Sequence, residues 1–477
     1  MGKNDNKSVK VPRLLIAGTN SGCGKTTVSI ALMKALKDRG LDICAFKCGP
    51  DYIDPMFHRA VLGIPSYNLD PFFCTPQQLC EVMGAHARGL CVAEGVMGYY
   101  DGIGTDGAAS TYSVAVATKT PAVLVVNVRG MYTSLGAIVR GFKSYREDSG
   151  IKGVIFNGAS AMLYRDLKTI AEREGVKACG YMPKVPEAEI GSRHLGLITA
   201  AEIEDLQARI AALGAKASEC IDIDALLELA GTAPELACNA PDLEGPSPEL
   251  EAAAFAGEGD LAGAAAMEAK EGSPIPLAVA RDEAFCFIYE ENIELLKAAG
   301  FEPVWFSPLH DKELPKGVRA LYLPGGYPEL YAAELSKNNR MLGSVKKAVQ
   351  SGLPTFAECG GFMYLHETLD GVPMAGVIKG GCRKTEKLQR FGYVTITAKE
   401  DNMFCRAGES IRAHEFHYYE SDDPGNGFAA EKPSGKRSWE CVHAWPSLYA
   451  GYPHLYLPAN PVFAENFARR AAEYVPL

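Results

Sequence analysis

Short apolar runs recur along this chain in two series. In residues 11–230, runs at 14–17, 91–93, 122–128 and 154–157 alternate with stretches of helical spacing. Runs without polar alternation are the pattern of strands buried on both faces. Residues 26–39 repeat apolar positions at helical intervals and stop at Gly40, suited to the left-handed turn that ends helices. Strands alternating with helices predict a parallel sheet covered on both faces. A second series begins at Pro274, with strands at 277–281, 303–306, 320–323 and 354–357 and helices at 288–299 and 362–369. Residues 231–273 break the pattern. They are rich in Ala, Glu, Gly and Pro, with Phe255 their one aromatic residue. Such a stretch buries little apolar surface and reads as a linker. The expected organisation is a domain at 1–230, a linker at 231–273 and a domain at 274–477. No internal repeat is visible.

Bulk properties narrow the class. A chain of 477 residues is too long for one ordinary core, which agrees with two α/β domains. A net charge of −10 argues against non-specific nucleic-acid binding. The 14 cysteines include no C-x-x-C pair and read as reduced thiols. The apolar run at 14–17 is far too short to span a bilayer. The reading is a soluble, cytoplasmic protein with no membrane or nucleic-acid partner.

Two segments carry chemistry. Gly18-Thr19-Asn20-Ser21-Gly22-Cys23-Gly24-Lys25-Thr26-Thr27 joins the first strand to the first helix. Glycines there let backbone N–H groups wrap anionic oxygens, and the helix points its positive end at them. Lys25 is placed to contact the terminal phosphates of a nucleotide, and the Thr26 hydroxyl to bind Mg²⁺. Thr19 stands where the common phosphate-loop pattern has its first glycine, and Gly18 comes one residue earlier, so the loop is one residue longer than usual. Carboxylates at the carboxyl ends of neighbouring strands suit a hard cation. Asp51 and Asp54 follow the second strand, and Glu94 follows the strand at 91–93; Asn127 is an uncharged further contributor. Turn chemistry is the competing explanation for Asp51 and Asp54.

The second segment is Ala357-Glu358-Cys359-Gly360-Gly361. It places Cys359 on a sharp strand-to-helix turn, as in a nucleophile elbow. A helix N-terminus there is expected to favour the thiolate. The Gly360 N–H and a donor from residues 324–329, Gly326, are expected to hold a developing oxyanion. The base is a histidine. His366, His414, His417, His443 and His454 are all candidates, and the residues alone do not choose among them.

Together these segments resemble the cobyrinate a,c-diamide synthase family of glutamine amidotransferases. The resemblance also rests on Lys47-Cys48-Gly49-Pro50-Asp51-Tyr52-Ile53-Asp54-Pro55, Asn68-Leu69-Asp70, Glu94-Gly95-Val96-Met97-Gly98 with Tyr100-Asp101-Gly102, and Arg193-His194-Leu195-Gly196-Leu197. In the second half it rests on Leu323-Pro324-Gly325-Gly326-Tyr327-Pro328-Glu329 and His414-Glu415-Phe416-His417-Tyr418. It implies an N-terminal phosphate-loop domain similar to dethiobiotin synthetase, which shares the longer loop, and a C-terminal domain similar to class I glutaminases. It implies ATP and Mg²⁺ as cofactors, cobyrinate and glutamine as substrates, and a homodimer as a possible assembly. Nucleotide binding falls to Gly18, Thr19, Gly22, Gly24, Lys25, Thr26, Thr27 and, at the adenine, Asn157. Metal and substrate activation fall to Thr26, Asp51, Asp54 and Glu94, with Tyr52 beside the substrate. The nucleophile maps to Cys359 and its histidine to His454. Class I glutaminases usually carry Glu two residues after that histidine; this chain has Tyr456. The nearest alternative is the enzyme that diamidates nickel sirohydrochlorin. A partition-type switch ATPase is an alternative of another class. It needs no cysteine elbow and usually carries an extra lysine early in its loop, and residues 18–24 contain none.

Overall fold

The computed structural model describes residues 8–186, 200–237 and 274–475. The chain forms two compact units, Met1–Glu244 and Gly245–Leu477. The Arg193–Leu197 motif and most of the stretch expected as a linker lie outside the described residues.

The first unit is built on seven parallel strands: β1 (Arg13–Gly18), β2 (Ile43–Cys48), β3 (Ser66–Leu69), β4 (Leu90–Glu94), β5 (Ala122–Asn127), β6 (Ile151–Asn157) and β7 (Lys177–Met182). Their order in space is β3-β2-β4-β1-β5-β6-β7. Every residue of β1, β2 and β4 is buried, which explains why they are apolar apart from Arg13, Lys47 and Glu94. The register puts Lys47 on β2 opposite Glu94 on β4, and Glu94 opposite Ile16 on β1. The carboxyl ends of β2 and β4 therefore meet beside the loop that leaves β1. Helix Lys25–Asp38 follows that loop.

Residues just past 230 are tied to this sheet. Leu236–Ala237 pairs antiparallel with Ser8–Val9. The fully buried Arg13 guanidinium donates to the carbonyls of Val11, Thr118 and Pro234, the last at 2.7 Å. The compositional break at 231 thus precedes contacts that belong to the first unit.

The second unit holds a six-stranded sheet in the order Phe301–Phe306, Ile275–Ala280, Ala320–Leu323, Thr355–Glu358, Leu448–Gly451, His443–Trp445, of which only the last runs antiparallel. The sequence reading found the first four. It did not find the five-stranded antiparallel sheet, ordered Ser438–Cys441, Phe428–Glu431, Arg390–Ala398, Ser410–His417, His454–Leu455. It also extended a helix over 362–369. That helix is Gly360–Leu365, and His366–Leu369 is a strand paired with Ile378–Lys384. Ladder bonds to a distant segment outweigh local spacing there.

Replacing Arg13 with Met is expected to destabilise the first unit by about 3 kcal/mol, since three carbonyls, those of Val11 and Thr118 buried, lose a charged donor. Urea denaturation of the full chain measures this, and a change below about 1 kcal/mol would contradict it.

Candidate active sites

The phosphate loop is held open by its glycines and closed by a neighbour. Gly24 adopts φ 93°, where a side chain is strained. A Cβ on Gly24 would also lie 1.9 Å from Asn157 Nδ2. Asn157 reaches the loop because β6 ends beside it, and its Nδ2 donates to the Cys23 carbonyl at 2.9 Å. The structure thus gives Asn157, expected at the adenine, a bracing contact with the loop. Gly18 is constrained too, for a Cβ there would meet Cys23 Sγ at 2.7 Å. Gly22 takes φ 80°, and Thr19 donates to the Asn20 side chain. Lys25 and Thr26 open the helix, with Thr27 next in line.

Beside the loop lies a buried charged cluster. The Thr26 hydroxyl donates to Glu94 Oε1 at 2.7 Å. The same oxygen is 2.9 Å from Lys47 Nζ. Lys47 Nζ is also 2.5 Å from Asp54 Oδ2 and 4.0 Å from Asp51 Oδ2. Burial alone would lower the Lys47 pKa, but Glu94, Asp54 and Asp51 outweigh it and hold the ammonium well above its usual value. Burial likewise pushes Asp54 up, yet Lys47 brings it below the usual carboxylate range. Asp51 is raised to about 6 by burial and then by Asp54.

Lys47 carries no role in the sequence analysis, although it lies in one of the motifs behind the family resemblance. The available signal was a lysine near the carboxyl end of an otherwise apolar strand, one turn before two aspartates. Asp51 and Asp54, expected as metal ligands, face Lys47. Asp51 also accepts from the N–H groups of Ile53 and Asp54 at the start of helix Ile53–Ala60, so the competing turn chemistry is present too. Asn68 fixes this turn by donating to the carbonyls of Gly49 and Asp51. Tyr52 is buried between the two aspartates in sequence. Asn127 Oδ1 accepts from the Arg129 N–H. Glu94 Oε2 is buried without a hydrogen-bond partner among the described residues. No group of three or more metal-ligating side chains occurs among the described residues.

The second site lies in the other unit. Cys359 follows strand Thr355–Glu358 with φ 44° and ψ −99°, a strained turn for a residue with a side chain. Its N–H is tied to the Gly451 carbonyl at 2.8 Å. A Cβ on Gly360 would lie 3.0 Å from Gly326 N, so the two expected oxyanion donors are neighbours. A Cβ on Gly325 would lie 2.4 Å from His454 Cε1, which sets the His454 ring against the same loop. The other histidines are engaged elsewhere. His366 lies between the Phe362 carbonyl and the Ser421 hydroxyl, His417 stacks on Tyr452, and His443 Nε2 is 3.0 Å from the Asp423 carbonyl. His414 stacks on His454 across the strand pair.

The electrostatics differ from the expected thiolate. Burial, then Glu329 and Glu358, push the Cys359 thiol far up, and the opposing Gly360 N–H does not offset them. A helix of six residues supplies too short a dipole to reverse this. Burial, then His414 and His417, push His454 far down. The resting pair is a neutral thiol and a neutral imidazole. Glu358 has no counterpart in the sequence reading. It is fully buried, its Oε1 accepts from the Leu455 N–H at 2.6 Å, and its Oε2 is 2.8 Å from the Tyr322 hydroxyl. Burial raises it to about 8. It thereby anchors the backbone next to His454, where position 456 offers no carboxylate.

Because the thiol is neutral, alkylation of the Cys359 peptide by iodoacetamide should rise about tenfold per pH unit between pH 7 and 9. A plateau near neutrality, read by peptide mass spectrometry, would mean a preformed thiolate. Glu358→Ala should lower glutamine-dependent turnover by about 10²-fold through misplacement of His454, with Glu358→Gln recovering most of it and ammonia-dependent turnover unchanged. Wild-type glutamine kinetics in Glu358→Ala would remove its anchoring role.

Comparison with known proteins follows the same division. Residues 14–198 match the CobQ/CobB/MinD/ParA nucleotide binding domain, and residues 276–461 match the CobB/CobQ-like glutamine amidotransferase domain. The cobyrinate a,c-diamide synthase of Caldanaerobacter subterraneus is 36% identical, covering 96% of this chain and 98% of its own. That of Listeria innocua is 36% identical over 94% of this chain and 97% of its own. That of Methanothermobacter thermautotrophicus is 37% identical over 97% of this chain and 100% of its own. The PurLQS structure from Thermotoga maritima aligns with 43% of this chain and 100% of its own at 18% identity, with a TM-score of 0.32. With both domains matched and full-length relatives above one-third identity, the chain belongs to the cobyrinate a,c-diamide synthase family of ATP-dependent glutamine amidotransferases.

Proposed function

We propose that this protein converts the a and c carboxylates of cobyrinate to amides, spending ATP and taking nitrogen from glutamine. The observation that carries the ligase half is the buried chain Thr26–Glu94–Lys47–Asp54 beside the phosphate loop. The family relationship supplies the substrate.

A carboxylate cannot expel oxide, so it must first gain a leaving group. A substrate carboxylate oxygen attacks the terminal phosphorus of ATP and ADP departs, leaving an acyl phosphate. Ammonia then attacks the acyl carbon, phosphate leaves, and the surplus proton passes to solvent. Lys25 and the loop N–H groups offset charge on the transferring phosphoryl group. Lys47 neutralises part of the carboxylate cluster and holds Asp54 and Glu94 in place.

The donors fit Mg²⁺. The Thr26 hydroxyl and the unpartnered Glu94 Oε2 are hard oxygens, and the cluster of three carboxylates and one ammonium has negative charge to spare. Mg²⁺ commonly takes one or two protein oxygens and completes its shell with phosphates and water. Thr26 and Glu94 would hold it, and bound there it would screen the phosphate oxygens. Asp51 and Asp54 act at one remove, through Lys47.

In the glutaminase half, Cys359 Sγ attacks the glutamine amide carbon as its proton passes to His454. Gly326 and Gly360 N–H groups receive the oxyanion. His454 returns the proton to the departing ammonia, and water then releases glutamate from the thioester. The neutral resting pair fits this order, because the proton moves only when substrate arrives. Ammonia must reach the acyl phosphate before water protonates it.

Mass spectrometry after incubation with ATP, Mg²⁺, glutamine and cobyrinate should show two successive amidations, absent without ATP. Turnover of nickel sirohydrochlorin alone would transfer the chain to that substrate. Cys359→Ala should abolish glutamine-dependent synthesis and keep synthesis from concentrated ammonium salt at raised pH, whereas Lys25→Ala should abolish both. Equal loss with both nitrogen sources in Cys359→Ala would refute the two-site scheme.

A further inference from the structure

Within the first unit a cavity of 610 Å³ opens beside the phosphate loop. Tyr99, Tyr100, Tyr112, Phe142 and Tyr145 give it an aromatic side, and Asp101, Asp106 and Arg146 give it a charged one. Tyr100 stacks on Phe142 at 5.8 Å and meets Tyr145 at 4.9 Å. The Tyr100 hydroxyl donates to the Phe142 carbonyl at 2.6 Å, which fixes the ring against helix Ser134–Ser144. Ala137 and Gly141 on that helix keep the floor open. The Arg146 guanidinium lies over Tyr145 at 5.4 Å and pairs with no carboxylate among the described residues.

The cavity adjoins the reacting end of the nucleotide site. Thr19, the first residue after β1, lines it. The Tyr99 N–H donates to the Gly18 carbonyl at 2.8 Å, and Asp101 Oδ2 accepts from the Gly98 N–H at 3.0 Å, so the wall and the loop are braced together. The same segment leaves β4 directly after Glu94, the carboxylate that touches Thr26. Thr19 apart, these wall residues carry no role in the sequence analysis.

Building on the function proposed above, we infer that this cavity seats the macrocycle of the substrate. A flat, largely apolar ring system with carboxylates on its rim suits the aromatic side of the cavity and the Arg146 guanidinium. Aromatic faces take the ring, small residues leave space for its peripheral groups, and Arg146 receives a rim carboxylate that is not reacting. The carboxylate to be amidated then points toward Thr19 and the phosphates. An adenine base is a poorer occupant. It would leave most of the volume empty, leave Arg146 without an anion, and lie at the wrong end of the triphosphate.

The test uses the full chain with Tyr145→Ala and Arg146→Ala made singly; Tyr145 is 64% exposed, so its truncation spares the core. Cobyrinate binding is followed by its visible absorption without ATP, and KM values are measured for cobyrinate, ATP and glutamine. Each variant should weaken cobyrinate binding and raise its KM by about tenfold or more. ATP and glutamine KM should stay within about twofold, with Tyr145→Phe close to wild type. A raised ATP KM with unchanged cobyrinate KM would assign the cavity to the base and overturn the inference. Unchanged values for both would overturn it as well. If the wild type neither binds nor amidates cobyrinate but does so with nickel sirohydrochlorin, the same variants are read with that macrocycle, and only the choice of macrocycle changes. If the wild type takes neither, the proposed function fails and this inference fails with it.

Discussion

The Lys47 ammonium has been taken out of water, and an ion in that position persists only when opposite charges surround it. Glu94, Asp54 and Asp51 supply them, and the arrangement around the phosphate loop follows. Glu94 is drawn between Lys47 and Thr26, so the first residues of the loop helix are linked to the carboxyl ends of two neighbouring strands. Asp54 is held ionised at the start of its own helix, and Asn68 pins the turn that carries it. Removing the ammonium would leave several carboxylates crowded in a space with little water. The cluster keeps surplus negative charge, which a divalent cation is suited to offset.

The second unit solves a different problem. A thiol poised as thiolate would be open to oxidation and alkylation before glutamine arrives. Burial and two nearby carboxylates keep Cys359 neutral, and burial keeps His454 neutral beside it. The strained backbone at Cys359 begins the turn at which Gly326 and Gly360 approach closely. Glu358 links this turn to the strand that bears His454. Position 456 is a tyrosine, and the buried carboxyl group of this site comes instead from Glu358, before the cysteine, where it accepts from the backbone next to His454.

Much of this was legible in the residues. Several central strands of both sheets showed as apolar runs, because parallel strands covered on both faces have no water to alternate with, whereas Ser66–Leu69, Lys177–Met182 and Leu448–Gly451 did not stand out. Phosphate-loop glycines are forced by positive φ and by close approach, and such constraints leave a residue type behind. The antiparallel sheet of residues 390–455 was missed because its strands are half exposed and set by long-range pairing. His366–Leu369 was misread as helix for the same reason. Charge effects were harder still. The thiol of Cys359 was expected to be acidic from its local turn, whereas burial by distant segments, then Glu329 and the adjacent Glu358, make it the reverse.

The sequence by itself determined the two α/β series, the nucleotide loop with its Lys25 and Thr26, and the cysteine elbow. Each of these is local: a strand, a turn and a helix start within a dozen residues, with residue types dictated by backbone geometry. Only the tertiary structure decided that Lys47 stands among three carboxylates, that His454 rather than four other histidines faces the elbow loop, and that Asn157 braces the loop. Those outcomes depend on strand order and register, which bring together groups up to 134 residues apart. Pairing free energy is spread over whole sheets rather than written in any short segment, so the residues that end up neighbours cannot be read from their spacing along the chain.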